Sequence, residues 1–299
     1  MEKNTERRYR LSDETALRLG LKLSQNRRYR ITKFQEHLLT SGFKQPKIMI
    51  YDIETSRALV KTWWSGKQWV GAHQIVREPK IISIAWKWLG TDEVQWLTWN
   101  ADHCDKSMLE SFLREYNMAD MIIGQNNNKF DNRWINARAL KYGFDVNTLI
   151  KSLDLMKEAK NFARLPGYSM SYMTDYMGVD KKMTHEGIVM WDMIEDGTPE
   201  QQKEYLDKMV QYNVQDIVAT EAMYYALRKY IRPVTHVGKL IGGDSYDCPH
   251  CGSSHIVPKR ITYTKAGTLQ HIMHCSSCGG EYKLSNRSYL SWVEDTKEY

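Results

Sequence analysis

Two groups of residues have the types and spacings that do chemistry. The first opens at Asp52-Ile53-Glu54, where the apolar run Lys47–Tyr51 ends. A strand has period two, so Asp52 and Glu54 leave it on one face, side by side. Two carboxylates that close repel unless a cation lies between them, and an all-oxygen donor set suits Mg²⁺ or Mn²⁺. The same pair can simply end an edge strand in solvent, so other acids have to decide the reading. Asp131 follows the apolar strand Ala119–Ile123 and its stop at Gly124, and Asp216 follows Tyr212 by four residues, on one helical face. The second group is Cys248-Pro-His-Cys251-Gly and Cys275-Ser-Ser-Cys278-Gly, separated by residues 252–274. Four thiolates at this spacing give a closed tetrahedral zinc site of structural type, with His250, His255, His271 and His274 as alternative donors. Cys104 stands alone.

These side chains need elements to hold them. Ile48–Tyr51, Lys80–Trp88 and Glu93–Trp99 alternate apolar and polar residues as strands of an antiparallel meander, and the crossover Met108–Tyr116 implies that Ala119–Ile123 pairs in parallel. Residues 149–155 offer a further strand, Ser169–Gly178 a helix with an apolar Met and Tyr face, and Gly187–Gly197 reads as irregular. A long helix starts at Pro199, which suits a first turn, and runs to about Tyr230 before Pro233. The segment Ser56–Pro79 carries Trp63, Trp64 and Trp69 and reads as an inserted loop or lid, its tryptophans expected to pack onto the body.

Composition sets the class. With 42% hydrophobic residues among 299, the chain can bury a sizeable core, which excludes a disordered protein. No apolar run reaches the length of a membrane span and the first residues lack the apolar centre of a secretory signal, so no membrane partner and a cytoplasmic location are expected. The formal charge of +6 is concentrated at the start, where residues 1–47 hold 12 Lys and Arg against 5 Asp and Glu. Clusters with Arg7, Arg8 and Arg10, then Arg27, Arg28 and Arg30, alternate with two short helical patterns. They read either as a nucleic-acid-binding arm, helix-turn-helix included, or as a solvated tail.

Asp52-x-Glu54, then Gly124-x-Asn126-x-x-x-Phe130-Asp131, then Tyr212-x-x-x-Asp216 resemble, in order and spacing, the three exonuclease motifs of the DEDD superfamily. The tyrosine marks its DEDDy branch, which includes the proofreading domains of family A and B DNA polymerases, and the chain resembles a free-standing, phage-type relative of the family B version. The resemblance spans about residues 47–230. It implies a ribonuclease H-like α/β fold, a mixed sheet flanked by helices, and a metal-dependent 3′–5′ exonuclease acting on DNA single strands or frayed ends. It also implies two catalytic Mg²⁺ or Mn²⁺ ions. Asp52 would bridge both, Glu54 and Asp216 would complete the first, and Asp131 would hold the second partly through water. Tyr212 would orient the attacking water, and Asn126 and Phe130 would brace the loop and contact the 3′ end, with Phe130 as plain core an equal reading. By the same token a replication or recombination protein is a possible partner, and a phage-encoded chain would work in the host cytoplasm.

The expected organisation is therefore a basic helical segment (1–46), an exonuclease domain (47–232), a linker (233–247) and a zinc ribbon with its tail (248–299), holding one Zn²⁺. No stretch reads as a polymerase. An RNA 3′-exonuclease, or a nucleic-acid-binding protein with a vestigial nuclease core, are the competing readings. Asp154, Asp175 and Asp192 are acids that nothing in the sequence draws to the site. Oligomeric state is not legible in it.

Overall fold

A computed structural model describes residues 9–10, 30–31, 47–179, 187–240 and 242–297. Strands β1 (Tyr9–Arg10) and β2 (Arg30–Ile31) pair antiparallel, with Arg10 opposite Arg30. The two helices expected in segment 1–46, its helix-turn-helix reading, and Arg7, Arg8, Arg27 and Arg28 lie outside the described residues.

The body is built on β3 (Ile48–Thr55), followed by the small hairpin β4 (Leu59–Val60) and β5 (Ile75–Arg77), then β6 (Ile81–Trp88) and β7 (Gln95–Thr98). Helix α1 (Lys106–Tyr116), β8 (Met121–Gly124), α2 (Asp131–Tyr142), β9 (Lys151–Asp154) and α3 (Leu155–Phe162) come next. Helices α4 (Met170–Met177), α5 (Ile188–Asp196) and α6 (Pro199–Leu227) complete it. The sheet runs β7-β6-β3-β8-β9, antiparallel across β7, β6 and β3 and parallel across β3, β8 and β9. The α/β class, the mixed sheet and its flanking helices are those expected.

Alternation along β3 sorts its side chains between two layers. Met49, Tyr51 and Ile53 face α1 and α2, packing with Phe112, Tyr116 and Ile135. Ile48 and Ile50 face the other way, packing with Ile217, Ala219 and Met223 of α6. Asp52 and Glu54 continue that second row, so the sheet aims them at α6. Thr198 caps α6 through a capping box with Gln201, Pro199 fills its first turn, and a buried stripe from Met209 to Leu227 lays it on the sheet. A part-buried Lys87–Glu221 ion pair and the Asn213 amide on Ser83 Oγ fix its register.

Helix α7 (Val237–Leu240) leads to a three-stranded antiparallel sheet of β10 (Ile256–Tyr263), β11 (Leu269–Cys275) and β12 (Glu281–Ser285), then α8 (Asn286–Lys297). No helix among the described residues is long and apolar enough to cross a membrane.

Three expectations are corrected by the fold. Residues 187–197 are not irregular, because Met190 and Ile194, four apart, bury against Ile82, Trp99 and Met209 and so hold α5 helical. The expected linker is packed: Val237 joins the core under α6 and its amide donates to the Pro249 carbonyl (3.0 Å). A Cβ on Gly238 would meet Asp247 Cβ at 2.9 Å, so this glycine serves close packing rather than flexibility. The inserted tryptophans do not pack on the body: Trp63, Trp64 and Trp69 are 94%, 70% and 92% exposed.

Candidate metal centres and their surroundings

Where β3 ends, Asp52, Glu54 and Asp216 each place a carboxylate oxygen within 4.8 Å of the others. The strand supplies two and α6 the third. Ser83 and Ala85 of β6 lie opposite Glu54 and Asp52 in register, and their small side chains leave room above the sheet. A register irregularity at Glu54/Thr55 bends the strand just there, as bulges beside sites often do.

Tyr212 is buried against this cluster and shares a side-chain hydrogen bond with Asp216. Burial, followed by the charges of Asp216, Glu54 and Asp52, holds its phenol far above the ordinary range. In the metal-free site the phenol therefore keeps its proton and acts as a donor, not as an ionised base.

Asp131, at the first turn of α2, stands outside the three-carboxylate group. Its buried Oδ1 accepts from the Ile53 amide (3.1 Å), the one residue between Asp52 and Glu54. Burial raises its pKa to about 7, with the charge of Asp154 adding to the shift. The structure thus delivers three carboxylates as a group and the fourth from beneath the strand.

Asp154 is the residue that sequence reasoning passed over. It ends β9 and caps α3, its Oδ1 accepting from Lys157 N (3.0 Å) and from Asn126 N (3.1 Å). The second bond fixes Asn126 in a left-handed conformation (φ 63°) and so sets the loop leading to Phe130-Asp131. An Asp followed by a helical pattern was the available signal; its second partner, 28 residues earlier, was not visible. Asn132, bonded to Tyr51 and Ser152, ties the same loop to the sheet. Phe130 is 39% exposed beside Trp134, so it is a surface ring at the edge of the site rather than core.

The four cysteines also converge. Cys248 and Cys278 sulfurs lie 3.6 Å apart, Cys251 and Cys275 sulfurs 3.7 Å, and all four fall within 4.8 Å. Zn–S bonds of ~2.3 Å in a tetrahedron put sulfurs ~3.8 Å apart, whereas a disulfide needs ~2.05 Å, so the spacing fits a metal. Gly252 and Gly279 (φ 75° and 73°) make the knuckle turns. Amides of His250 and Cys251 point at the Cys248 sulfur and that of Gly280 at the Cys278 sulfur, which supports thiolates. Tyr224 of α6 donates to the His250 carbonyl (3.3 Å), docking the knuckle on the body.

A mixed sheet whose central strand hands acids to a helix across its face defines the class. The chain belongs to the RNase H superfamily, whose profile (RNase_H_2) matches residues 78–228, just over half its length. The matched stretch contains Asp131, Tyr212 and Asp216 and begins after Asp52 and Glu54. Among solved structures, the family B DNA polymerase of the hyperthermophilic archaeon Pyrobaculum calidifontis is similar, with a TM-score of 0.45 and 15% identity over 64% of this chain. The match takes in 27% of the polymerase, so the chain spans about a quarter of it. No curated protein matches.

Proposed function

We propose that this protein is a metal-dependent 3′–5′ exonuclease of the DEDDy type, hydrolysing phosphodiester bonds of single-stranded or frayed DNA. The observation that carries the reading is the convergence of Asp52, Glu54 and Asp216 beside Tyr212, in a chain of the RNase H superfamily. Three hard oxygen donors so close fit Mg²⁺ or Mn²⁺, with Asp131 as the further ligand of a second ion. Bound divalent ions supply an acidified water and stabilise the charge that develops on phosphorus and on the leaving oxygen.

The protein's own groups do the remaining work. Asp52, Glu54 and Asp216, fixed by strand and helix, hold their negative charge where the ions bind, and little side-chain reorganisation is needed. Tyr212 keeps its proton and donates it in a hydrogen bond, which can orient a water or a phosphate oxygen without a change of protonation. Asp131 reaches the site from beneath β3 and must be ionised to serve as a ligand. Phe130 offers an exposed ring to the terminal nucleotide, with Asn126 fixing the loop beneath it. The Cys248, Cys251, Cys275 and Cys278 cluster holds one Zn²⁺ as a structural ribbon, because its small core needs the metal to fold. Arg7, Arg8, Arg10, Arg27, Arg28 and Arg30 bind phosphates from the basic arm.

End-labelled single-stranded DNA and RNA, incubated with Mg²⁺, with Mn²⁺ or with EDTA, test this. The expected result is nucleotide release from DNA with either ion and none in EDTA. Release from RNA alone reassigns the substrate, and the absence of release from both leaves a nucleic-acid-binding protein.

A further inference from the structure

The hairpin inserted between β3 and β6 has a use that the acid cluster does not require. It leaves the sheet at Ser56, one residue after Thr55, and returns at Lys80. Its two ends are pinned together by Ser56 N donating to the Lys80 carbonyl (2.8 Å) and Lys80 N donating to Ser56 Oγ (2.8 Å). The insert therefore projects from the end of β3 that carries Asp52 and Glu54.

Its base is clamped. Arg57 grips Glu195 of α5 through its backbone amide and its guanidinium and also pairs with Asp192, while Arg77 pairs with Glu195 and Asp196. Trp191 of the same helix donates to the carbonyl of Thr55 (2.9 Å). The tip is built differently. Gln68 Nε2 and Thr62 Oγ1 both donate to the Trp64 carbonyl and close a turn through Gly66 (φ 112°), yet Trp63, Trp64 and Trp69 present most of their rings to solvent. Lys61 and Lys67 are exposed among them, and residues 56–77 contain no acid. Three large exposed rings are costly for a soluble surface. A rigid base, a cationic tip and bare indoles are what stacking on unpaired bases needs. Leu59, Val70, Ile75 and Val76 of the same hairpin are exposed as well, but Lys61 and Lys67 flank the indoles with no acid nearby, which favours a polyanion over a protein partner.

We infer that Trp63, Trp64 and Trp69 form a stacking platform for the unpaired bases of a single-stranded nucleic acid whose 3′ end lies in the acid cluster. This rests on the nuclease reading for its orientation. Trp63 follows Glu54 by nine residues, so an extended chain places it within about 32 Å, a distance spanned by roughly nine nucleotides at ~3.4 Å each. A strand of that length can touch both places at once. A dinucleotide fills the acid site alone.

The test compares wild type with W63A/W64A/W69A and W63F/W64F/W69F. Affinity for a fluorescein-labelled 20-nucleotide strand is read by anisotropy without added divalent ions, and turnover is read on the same strand and on a dinucleotide with Mg²⁺. Each stacked base contributes about 5- to 150-fold in affinity. The alanine variant should therefore lose at least tenfold in Kd and KM on the long strand, with kcat and dinucleotide hydrolysis unchanged, and the phenylalanine variant should retain most of the affinity. An unchanged Kd in the alanine variant overturns the platform and leaves the tip to a protein partner. If wild type hydrolyses neither substrate, the nuclease reading fails, while the Kd comparison still decides the platform.

Discussion

Replacing Asp105 with asparagine should destabilise this protein more than any surface change, although Asp105 lies far along the chain from every proposed metal ligand. Its side chain is fully buried, at the start of α1, and accepts from Arg138 Nε and Nη2 (both 2.7 Å), the Tyr142 hydroxyl (2.5 Å) and the Ile81 amide (3.1 Å). These bonds tie α2, which begins at Asp131, to the first residue of β6. Asparagine keeps the shape and removes the charge, leaving a guanidinium that is only 5% exposed with the more distant and exposed Glu78 (3.8 Å) as its remaining carboxylate. Breaking a buried pair on one side costs about 3–5 kcal/mol, a large part of an ordinary stability of ~5–15 kcal/mol. At ~2–4 °C per kcal/mol, Tm should fall by roughly 6–20 °C. The double variant D105L/R138M removes both charges and leaves chiefly the buried Ile81 N–H unpaired, at about 1–3 kcal/mol, because the part-buried Tyr142 hydroxyl can reach water; it should therefore be less destabilised than D105N.

The acid dependence follows with a definite sign. Burial raises the Asp105 pKa, but the bonds from Arg138, Tyr142 and Ile81 and the Arg138 charge outweigh it and hold the carboxyl below its ordinary value. Its stabilisation is therefore complete above the unfolded pKa of ~3.9 and is lost as pH falls through the lower folded pKa. Urea unfolding followed by tryptophan fluorescence at neutral pH and at successively lower pH should show the gap between wild type and D105N closing only below about pH 4. A gap under about 1 kcal/mol at neutral pH, or one that does not narrow in acid, would refute the buried-pair account.

Other outcomes follow from the same geometry. Tyr212→Phe should lower kcat by about 10- to 100-fold while D216A removes activity, because the phenol only orients; an unaffected rate makes Tyr212 purely structural. Burial pushes the Asp131 pKa up to about 7 in the metal-free protein, so apparent Mg²⁺ affinity should rise with pH up to that point, binding should release a proton, and D131N should flatten the profile in calorimetry. Purified protein should carry one zinc that survives brief EDTA treatment, and C248S/C278S should lose both the zinc and the cooperative unfolding of the ribbon. Deleting residues 1–46 should reduce the salt dependence of single-strand binding by ~0.7 log units for each phosphate that the arm neutralises, with kcat unchanged; an unchanged slope makes the segment a tail.

What the sequence disclosed depended on whether position along the chain sufficed. Asp52 and Glu54 were readable because strand period two fixes their common face, and Tyr212 and Asp216 because helical period does the same. The Cys-x-x-Cys pairs carried their own geometry. Asp154 was not readable, since its part is to accept from Asn126 across the sheet, and no local pattern encodes that pairing. Helix α5 lacks a side-chain cap and owes its form to burial against Trp99 and Met209, a tertiary effect that outweighs local signals. The tryptophans misled for the opposite reason: burial is the usual fate of indoles, and only the clamped hairpin shows that these three are held outward.

The central claim is that Asp52, Glu54 and Asp216 form the hydrolytic site of an exonuclease that works from the 3′ end. One single-stranded DNA oligonucleotide labelled at its 5′ end, and the same one labelled at its 3′ end, should be digested with Mg²⁺ by wild type, D52A and D216A in parallel. Wild type is predicted to free the 3′ label at once as a mononucleotide and to shorten the 5′-labelled strand one nucleotide at a time. Both alanine variants should fall by more than about a thousandfold without a lower Tm, since each loses a metal ligand and relieves carboxylate repulsion. Internal cuts, early release of the 5′ label, or activity within about tenfold of wild type in either variant would contradict it.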